Sequence, residues 1–272
     1  MPQYLHHYVP SFEVLRSIID TQTLWATEVH GVNDDREFDH GLPIVLSALD
    51  NVRTPDLREH VEIISGGLRE RFLHEMFVSC LSTSREIESQ WTDYADSQRG
   101  FAITFDNVVI SALDAPNGLR VLPVEYDEAI QNERARRVVA LAEADLTAVT
   151  DAPRSLAHAW AVQSRFTLLA AELFFLCACF KAPKWRREQE WRIVYSRHPD
   201  DVGALPVRLS MSRGRELRHV DIDLTSRSFQ HDAPTFEAVC AGPRTPRTEA
   251  ERAREYVRTH RPGVRWCERA PF

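Results

Sequence analysis

The chain has 272 residues, a formal net charge of −7, 43% hydrophobic and 27% charged residues, which excludes a disordered chain and gives enough length for a full core. The acidic balance argues against nonspecific binding to duplex nucleic acid, though it leaves room for a local basic patch. The five cysteines, Cys80, Cys177, Cys179, Cys240 and Cys267, form no C-x-x-C pair, and their odd count suits buried thiols in a reducing cytoplasm.

The first residues lack the charged-then-apolar pattern of a signal peptide. Tyr4 to Tyr8 reads as a short strand, followed by a helix with Ser11 as N-cap and Phe12, Leu15, Ile18 and Ile19 as its apolar stripe. Thr23 to Thr27 is a second strand, and Asn33 to His40 a polar loop. Thr54-Pro55 opens a helix to about Phe72, Phe77 to Leu81 is a strand, and Ser89 to Tyr94 a turn or one helical turn. Gly100 to Phe105 is a strand, with Asp106 capping a short helix, and Val121 to Tyr126 another strand. Residues 128–180 are helical in character with a break near Pro153, and the greasy run from Phe166 to Phe180, holding Glu172, is too short for a bilayer. Later strands are expected from Glu188 to Tyr195, Leu205 to Met211, Leu217 to Leu224, Phe236 to Cys240 and Val264 to Cys267, with a charged helix from Arg247 to Thr259. Strands on both sides of a helical block predict one α+β domain, with residues 128–181 as a helical insertion, and not a βαβ series.

The segment from Lys184 to Tyr195 carries the densest pattern. Read as a strand, it places Glu188, Glu190, Arg192 and Val194 on one side, and Gln189, Trp191, Ile193 and Tyr195 on the inner side, with Trp191 buried. Two like charges two residues apart invite a bound polyol, a cation or an arginine partner. Otherwise they form a solvated face, with Arg192 pairing to Glu190. His6-His7-Tyr8 near the start can present only one of His7 and Tyr8 to a given pocket. Ser89, Trp91 and Tyr94 ahead of Gly100 can wall a pocket for a flat ring or simply pack in the core. Asp34, Asp35, Glu37, Asp39 and His40 could hold a hard cation but lack calcium-loop spacing, and a charge run is usually a solvated loop. Gly-x-Gly-x-x-Gly, Walker and Gly-x-Ser-x-Gly motifs are absent, and Gly100 and Gly242 read as turn glycines.

Four signatures occur in order: Leu5-His6-His7-Tyr8; Leu24-Trp25 with Asn33-Asp34-x-x-Glu37-Phe38; Ser89-x-Trp91-x-x-Tyr94 leading to Gly100 through Phe105; and Lys184 leading to Glu188-x-Glu190-Trp191-Arg192. With the closing Ala241-Gly242-Pro243, this resembles the bacterial family called domain of unknown function 2971, over nearly the whole chain. The layout also resembles the ADP-ribosyltransferase superfamily. That resemblance implies a split β-core and NAD as substrate, with an early histidine on a ribose, a middle aromatic stacked on nicotinamide, and a catalytic late glutamate. Carried over, these are His7, Trp91 or Tyr94, and Glu190. Tyr8 stands where that superfamily commonly has glycine. Ser89 and Arg192 complete the expected NAD contacts, and Glu188 the catalytic pair.

The chemistry is coherent with those residues. Breaking the ribose–nicotinamide bond develops positive charge on the sugar, and a carboxylate stabilises that charge as it appears. The leaving group already carries a positive charge and needs no proton. Glu190 is then the main group, and Glu188 orients the incoming nucleophile or takes its proton. The expectation is a cytoplasmic transferase without a metal, a toxin or phage-defence effector acting on a protein, nucleic acid or small-molecule acceptor, away from any membrane. The alternatives are a non-catalytic nucleotide-binding or sensing module, and a metal-dependent nuclease built on Asp34, Asp35, Glu37 and His40.

Overall fold

A computed structural model describes residues 1–29, 37–53, 55–70, 75–113, 118–150, 156–197, 203–212, 214–225 and 235–267. The chain begins with β1 (Tyr4–Val9), α1 (Phe12–Thr21) and β2 (Thr23–Glu28). The Ser11 hydroxyl accepts from the Val14 amide, and Phe12, Leu15, Ile18 and Ile19 are all buried, so cap and stripe fall where the sequence puts them. Two helices follow, α2 (Glu37–Leu49) and α3 (Pro55–Glu70), then β3 (Glu75–Ser82), α4 (Glu88–Tyr94), β4 (Phe101–Asp106), α5 (Asn107–Ser111) and β5 (Leu119–Pro123). The expected polar loop therefore ends earlier than supposed, since Asp39 and His40 belong to α2, which carries Pro43 inside it. Residues 30–36, with Asn33, Asp34 and Asp35, lie outside the described residues, as do the side chains of Glu37 and Phe38.

The helical block is a pair, α6 (Glu128–Thr150) and α7 (Leu156–Cys179). The expected break near Pro153 falls outside the described residues. In α7 the window Val162–Cys179 is long and apolar enough to cross a membrane, so the sequence underestimated this run. Half of that window is buried against the rest of the chain. A 3₁₀ turn (Pro183–Glu188) leads into β6 (Glu190–Arg197), and β7 (Arg208–Ser212), β8 (Arg215–Asp223), β9 (Ala238–Ala241), α8 (Arg247–His260) and β10 (Arg265–Cys267) complete the order.

All ten described strands join one sheet, which forks at β3. One edge of β3 pairs with β6 along its whole length, from Glu75↔Arg197 to Ser82↔Glu190. A strand has only two edges, so β1 and β2 must share the other. β2 takes it at Phe77 and Val78, and β1 takes it at Ser82. From there the arms diverge as β1-β4-β9-β10 and β2-β8-β7, while β5 flanks β6. Between the arms the edge of β3 is bridged by a side chain: His7 Nδ1 donates to the Cys80 carbonyl at 2.9 Å.

Both faces of the sheet are covered near the fork. One face carries Leu5, Val9, Phe77, Leu81, Ile193 and Tyr195 with residues of α1 and α8. The other carries Met76, Val78 and Val194 against α2, α3, α6 and α7. A third cluster on that second face packs Tyr8, Ala102 and Cys240 beneath Trp91 of α4. Trp191 meets the first core but is only half-buried, where full burial was expected. It sits near the start of β6, where the core thins. Gly100 and Gly242 are close-approach positions more than turn residues. A Cβ on Gly100 would stand 2.1 Å from the Val9 carbonyl oxygen, and one on Gly242 2.2 Å from that of Gln98.

Candidate active site

Register decides which side chains share a face, because directly paired residues on neighbouring strands point the same way. His6 pairs with both Thr104 and Ser82, and Ser82 pairs with Glu190. Thr104, His6, Ser82 and Glu190 therefore form one row across β4, β1, β3 and β6. With strands spaced ~4.8 Å apart, the His6 and Glu190 backbones lie roughly 10 Å from each other, with Ser82 between them. All four residues are buried.

The histidine on the glutamate's face is thus His6 and not the expected His7. Strand alternation sends His7 to the opposite face, where it holds the fork closed. His6 Nδ1 lies 3.0 Å from Thr104 Oγ1. Burial, reinforced by the Arg85 charge, lowers its pKa to about 4, so the ring is neutral at physiological pH. Burial likewise lowers His7, against the opposing pull of the Cys80 carbonyl.

Glu188 reaches the site by a route different from the expected one. It ends the 3₁₀ turn, and Gln189 then adopts a left-handed backbone with φ 47° and ψ 49°. The strand begins only at Glu190, so the two glutamates are not neighbours on a strand face. The turn is gripped by the end of β3: Ser82 Oγ donates to the Glu188 carbonyl at 3.0 Å, and Thr83 Oγ1 to Gln189 Oε1 at 2.7 Å.

What joins the two carboxylates is Lys181, which the sequence reading passed over. Its Nζ donates to Glu188 Oε2 at 2.5 Å and to Glu190 Oε2 at 3.1 Å. Arg192 forks onto Glu190, Nε to Oε1 at 2.8 Å and Nη2 to Oε2 at 3.2 Å, and its Nη1 donates to the Ala178 carbonyl at the end of α7. The result is a buried quartet of two cations and two anions, all at most 5% exposed. Burial alone would raise the Glu190 pKa. Arg192, Lys181 and hydrogen bonds from Arg192 and Cys80 outweigh it and hold the carboxyl at about 2. The local signal for Lys181 was a lysine closing the greasiest run of the chain, just before Ala182-Pro183.

A tyrosine contacts the quartet. The Tyr126 hydroxyl accepts from the Glu190 amide at 3.0 Å. Burial raises the Tyr94 phenol well above its ordinary range, and the charges of Lys181, Glu188 and Glu190 are felt there. Tyr94 packs against the cluster of Tyr8, Trp91, Ala102 and Cys240. Trp91 is fully buried, lies edge-on to Tyr8 at 5.0 Å, and donates from Nε1 to the Arg85 carbonyl at 2.7 Å, so no face is open to a ligand ring. Tyr8 shares the Glu190 face, but its hydroxyl is committed to the Ser84 carbonyl at 2.8 Å. Ser89 is exposed on α4. His40, proposed for a metal, lies 3.1 Å from Gln131 Oε1, and among the described residues no three histidine, cysteine or acidic side chains gather to hold an ion.

A family model described as Protein of unknown function (DUF2971) matches residues 90–193 and supports the first of the two resemblances drawn from the motifs. The matched span includes Trp91, Tyr94, Lys181, Glu188, Glu190 and Arg192, but not the early histidines. No curated protein and no solved structure matches the chain.

Proposed function

We propose that the chain cleaves the nicotinamide–ribose bond of NAD and passes ADP-ribose to an acceptor, with Glu190 as the catalytic carboxylate. The observation that carries this reading is the row His6–Ser82–Glu190 at the fork of the sheet. A carboxyl held at about 2 is a poor proton shuttle but a permanent negative charge. Cleavage of C1′–N sends the bonding pair to nicotinamide, which leaves neutral, and the positive charge that grows on the ribose is what a fixed carboxylate stabilises. The acceptor nucleophile then closes onto C1′ and gives up its proton, with Glu188 the nearest second carboxylate to receive it. In this reading neutral His6 is the group on the Glu190 face that would meet a ribose hydroxyl, while Ser82, whose hydroxyl donates to the Glu188 carbonyl, holds the turn.

One observation favours a second reading, a non-catalytic nucleotide-binding module. A carboxylate has about four acceptor sites, and Arg192, Lys181 and Cys80 between them occupy nearly all of those on Glu190. The deciding experiment is nicotinamide release from NAD, with acceptor labelling, by wild type, Glu190→Gln and Glu188→Gln. For the enzyme, Glu190→Gln lowers kcat and kcat/KM together by about 10²–10³-fold and leaves NAD binding within several-fold. Glu188→Gln affects transfer more than release. Glu190→Gln alone leaves the buried quartet one positive charge in excess, so the charge-balanced double variant Glu190→Gln/Lys181→Met serves as the folded comparison. NAD binding with no release by wild type supports the module instead.

A further inference from the structure

We infer that the arm β2-β8-β7 carries a second binding site, for a neutral saccharide ring, in a hollow of about 300 Å³ centred on Trp25. The site shares no residue with the quartet and stands independently of the proposed transferase activity. Trp25 is unusual for a strand-centre tryptophan in being 46% exposed. Its ring is nevertheless fixed, because it stacks on His219 at 4.2 Å and 29°, and His219 is only 2% exposed. An indole held in this way is a preformed platform that loses little freedom when a ring settles on it.

The polar groups around the platform suit hydroxyls. Trp25 pairs across the ladder with Asp221, so both line the same face. Arg208 Nε bonds Asp221 Oδ2 at 3.1 Å, which makes the pair neutral overall. The His219 ring is held by the Leu217 carbonyl. Asp221 Oδ1 lies 3.8 Å from His219 Nε2, too far for a hydrogen bond. Asp221 and Arg208, with Thr23 and Ser210, line the same hollow as Trp25 and give the platform polar walls. A charged ligand gains little here, since Arg208 and Asp221 already cancel each other. A vicinal diol fits both: one hydroxyl donates toward Asp221 while its neighbour accepts from the remaining N–H groups of Arg208. The C–H face of the same ring covers the indole. The volume admits one pyranose and little more.

The probes are methyl glucopyranoside, galactopyranoside and mannopyranoside, with adenosine and guanosine as comparators. They are titrated into full-length protein while the indole N–H resonances of its six tryptophans are followed by NMR, that of Trp25 being assigned through Trp25→Phe. The expected result is a saturable shift of the Trp25 resonance by at least one pyranoside, with a dissociation constant on the order of 1–10 mM. Trp25→Ala, read from saturation transfer to the sugar protons, abolishes the binding, and Arg208→Gln, a rim change with little risk to folding, weakens it about ten-fold or more. NAD binding and any nicotinamide release stay at wild-type levels in both variants. A Trp25 resonance that no pyranoside moves, that only the nucleosides move, or a sugar affinity unchanged by Arg208→Gln overturns the proposal.

Discussion

Lys181→Met tests the electrostatic account of the site most directly. The methionine keeps most of the length and volume of the lysine stem, so packing changes little. The charge does not survive. Glu188 Oε2 and Glu190 Oε2 both bond the same ammonium, at 2.5 and 3.1 Å, so they lie within about 5.6 Å of each other. Without the lysine their repulsion is about 3 kcal/mol at an effective dielectric constant near 20. The quartet then carries one uncompensated negative charge in a site at most 5% exposed. Removing one partner of a buried ion pair costs about 3–5 kcal/mol, and that is the expected loss at pH 7.5. Its sign with pH is fixed as well. One of the crowded carboxyls now titrates above its unfolded value, so the penalty is full above that raised pKa and fades as acid protonates the group. The second substitution Glu188→Gln removes the excess charge and recovers most of the loss. Urea unfolding at pH 7.5 and 5 for wild type, single and double variants measures all three effects. A deficit that is equal at both pH values and unrelieved by Glu188→Gln would show that Lys181 acts through packing and not through charge.

Two further outcomes follow from the same structure. His6 falls from an ordinary 6.5 to about 4 on folding, so the unfolded chain binds the extra proton between those values. Stability is then full above pH 6.5 and drops by about 3 kcal/mol as pH falls toward 4. His7 is lowered too and adds in the same direction. Urea midpoints at pH 7.5 and 4.5 should show this loss, and His6→Gln should remove most of it; an unchanged acid slope refutes the burial assignment. Trp191→Ala should cost about 1–3 kcal/mol, less than the ~3–5 of a fully buried tryptophan, because the ring is half-buried. Denaturant unfolding reads this, and a change within error would mean that Trp191 does not support the first core.

Local physics made much of the fold legible. The Ser11 cap with the stripe Phe12, Leu15, Ile18 and Ile19, and the Asp106 cap on α5, are set within a few residues of sequence. Every expected strand has a counterpart, with ends shifted by a few residues. The misses are non-local. Whether His6 or His7 faces Glu190 depends on the pairings His6↔Ser82 and Ser82↔Glu190, which join segments 76 and 108 residues apart. Alternation says only that the two histidines diverge. Glu188 was placed on the strand because Gln189 carries no glycine, asparagine or aspartate signal for its left-handed backbone. That conformation is held by tertiary contacts with Thr83. α2 was hidden by Gly41 and Pro43, which local propensity counts against a helix.

The buried quartet also limits what Glu190 can do, whichever activity is measured. A lone carboxyl on β6 at this depth would be forced toward neutrality by desolvation. Lys181 and Arg192 prevent that, and each is supplied by a different part of the fold: the second residue past α7, and the strand position two beyond Glu190. Glu190 therefore stays ionised in the absence of substrate, with its charge already balanced. A substrate whose own positive charge appears only during bond breaking does not compete with Lys181 in the ground state. In the proposed cleavage of NAD it would begin to do so as the bond stretches, when the attraction between sugar and carboxylate would grow while the ion pairs stay constant. The helical pair enters the site through this balance, since the Ala178 carbonyl at the end of α7 receives Arg192 and Lys181 follows two residues past the helix. Arg192, on the same strand as Glu190, keeps its place beside the carboxylate, whereas a shift of α7 along its axis would displace Lys181 and the Ala178 carbonyl that receives the Arg192 guanidinium, so the end of α7 is where the neutralisation of Glu190 can be adjusted.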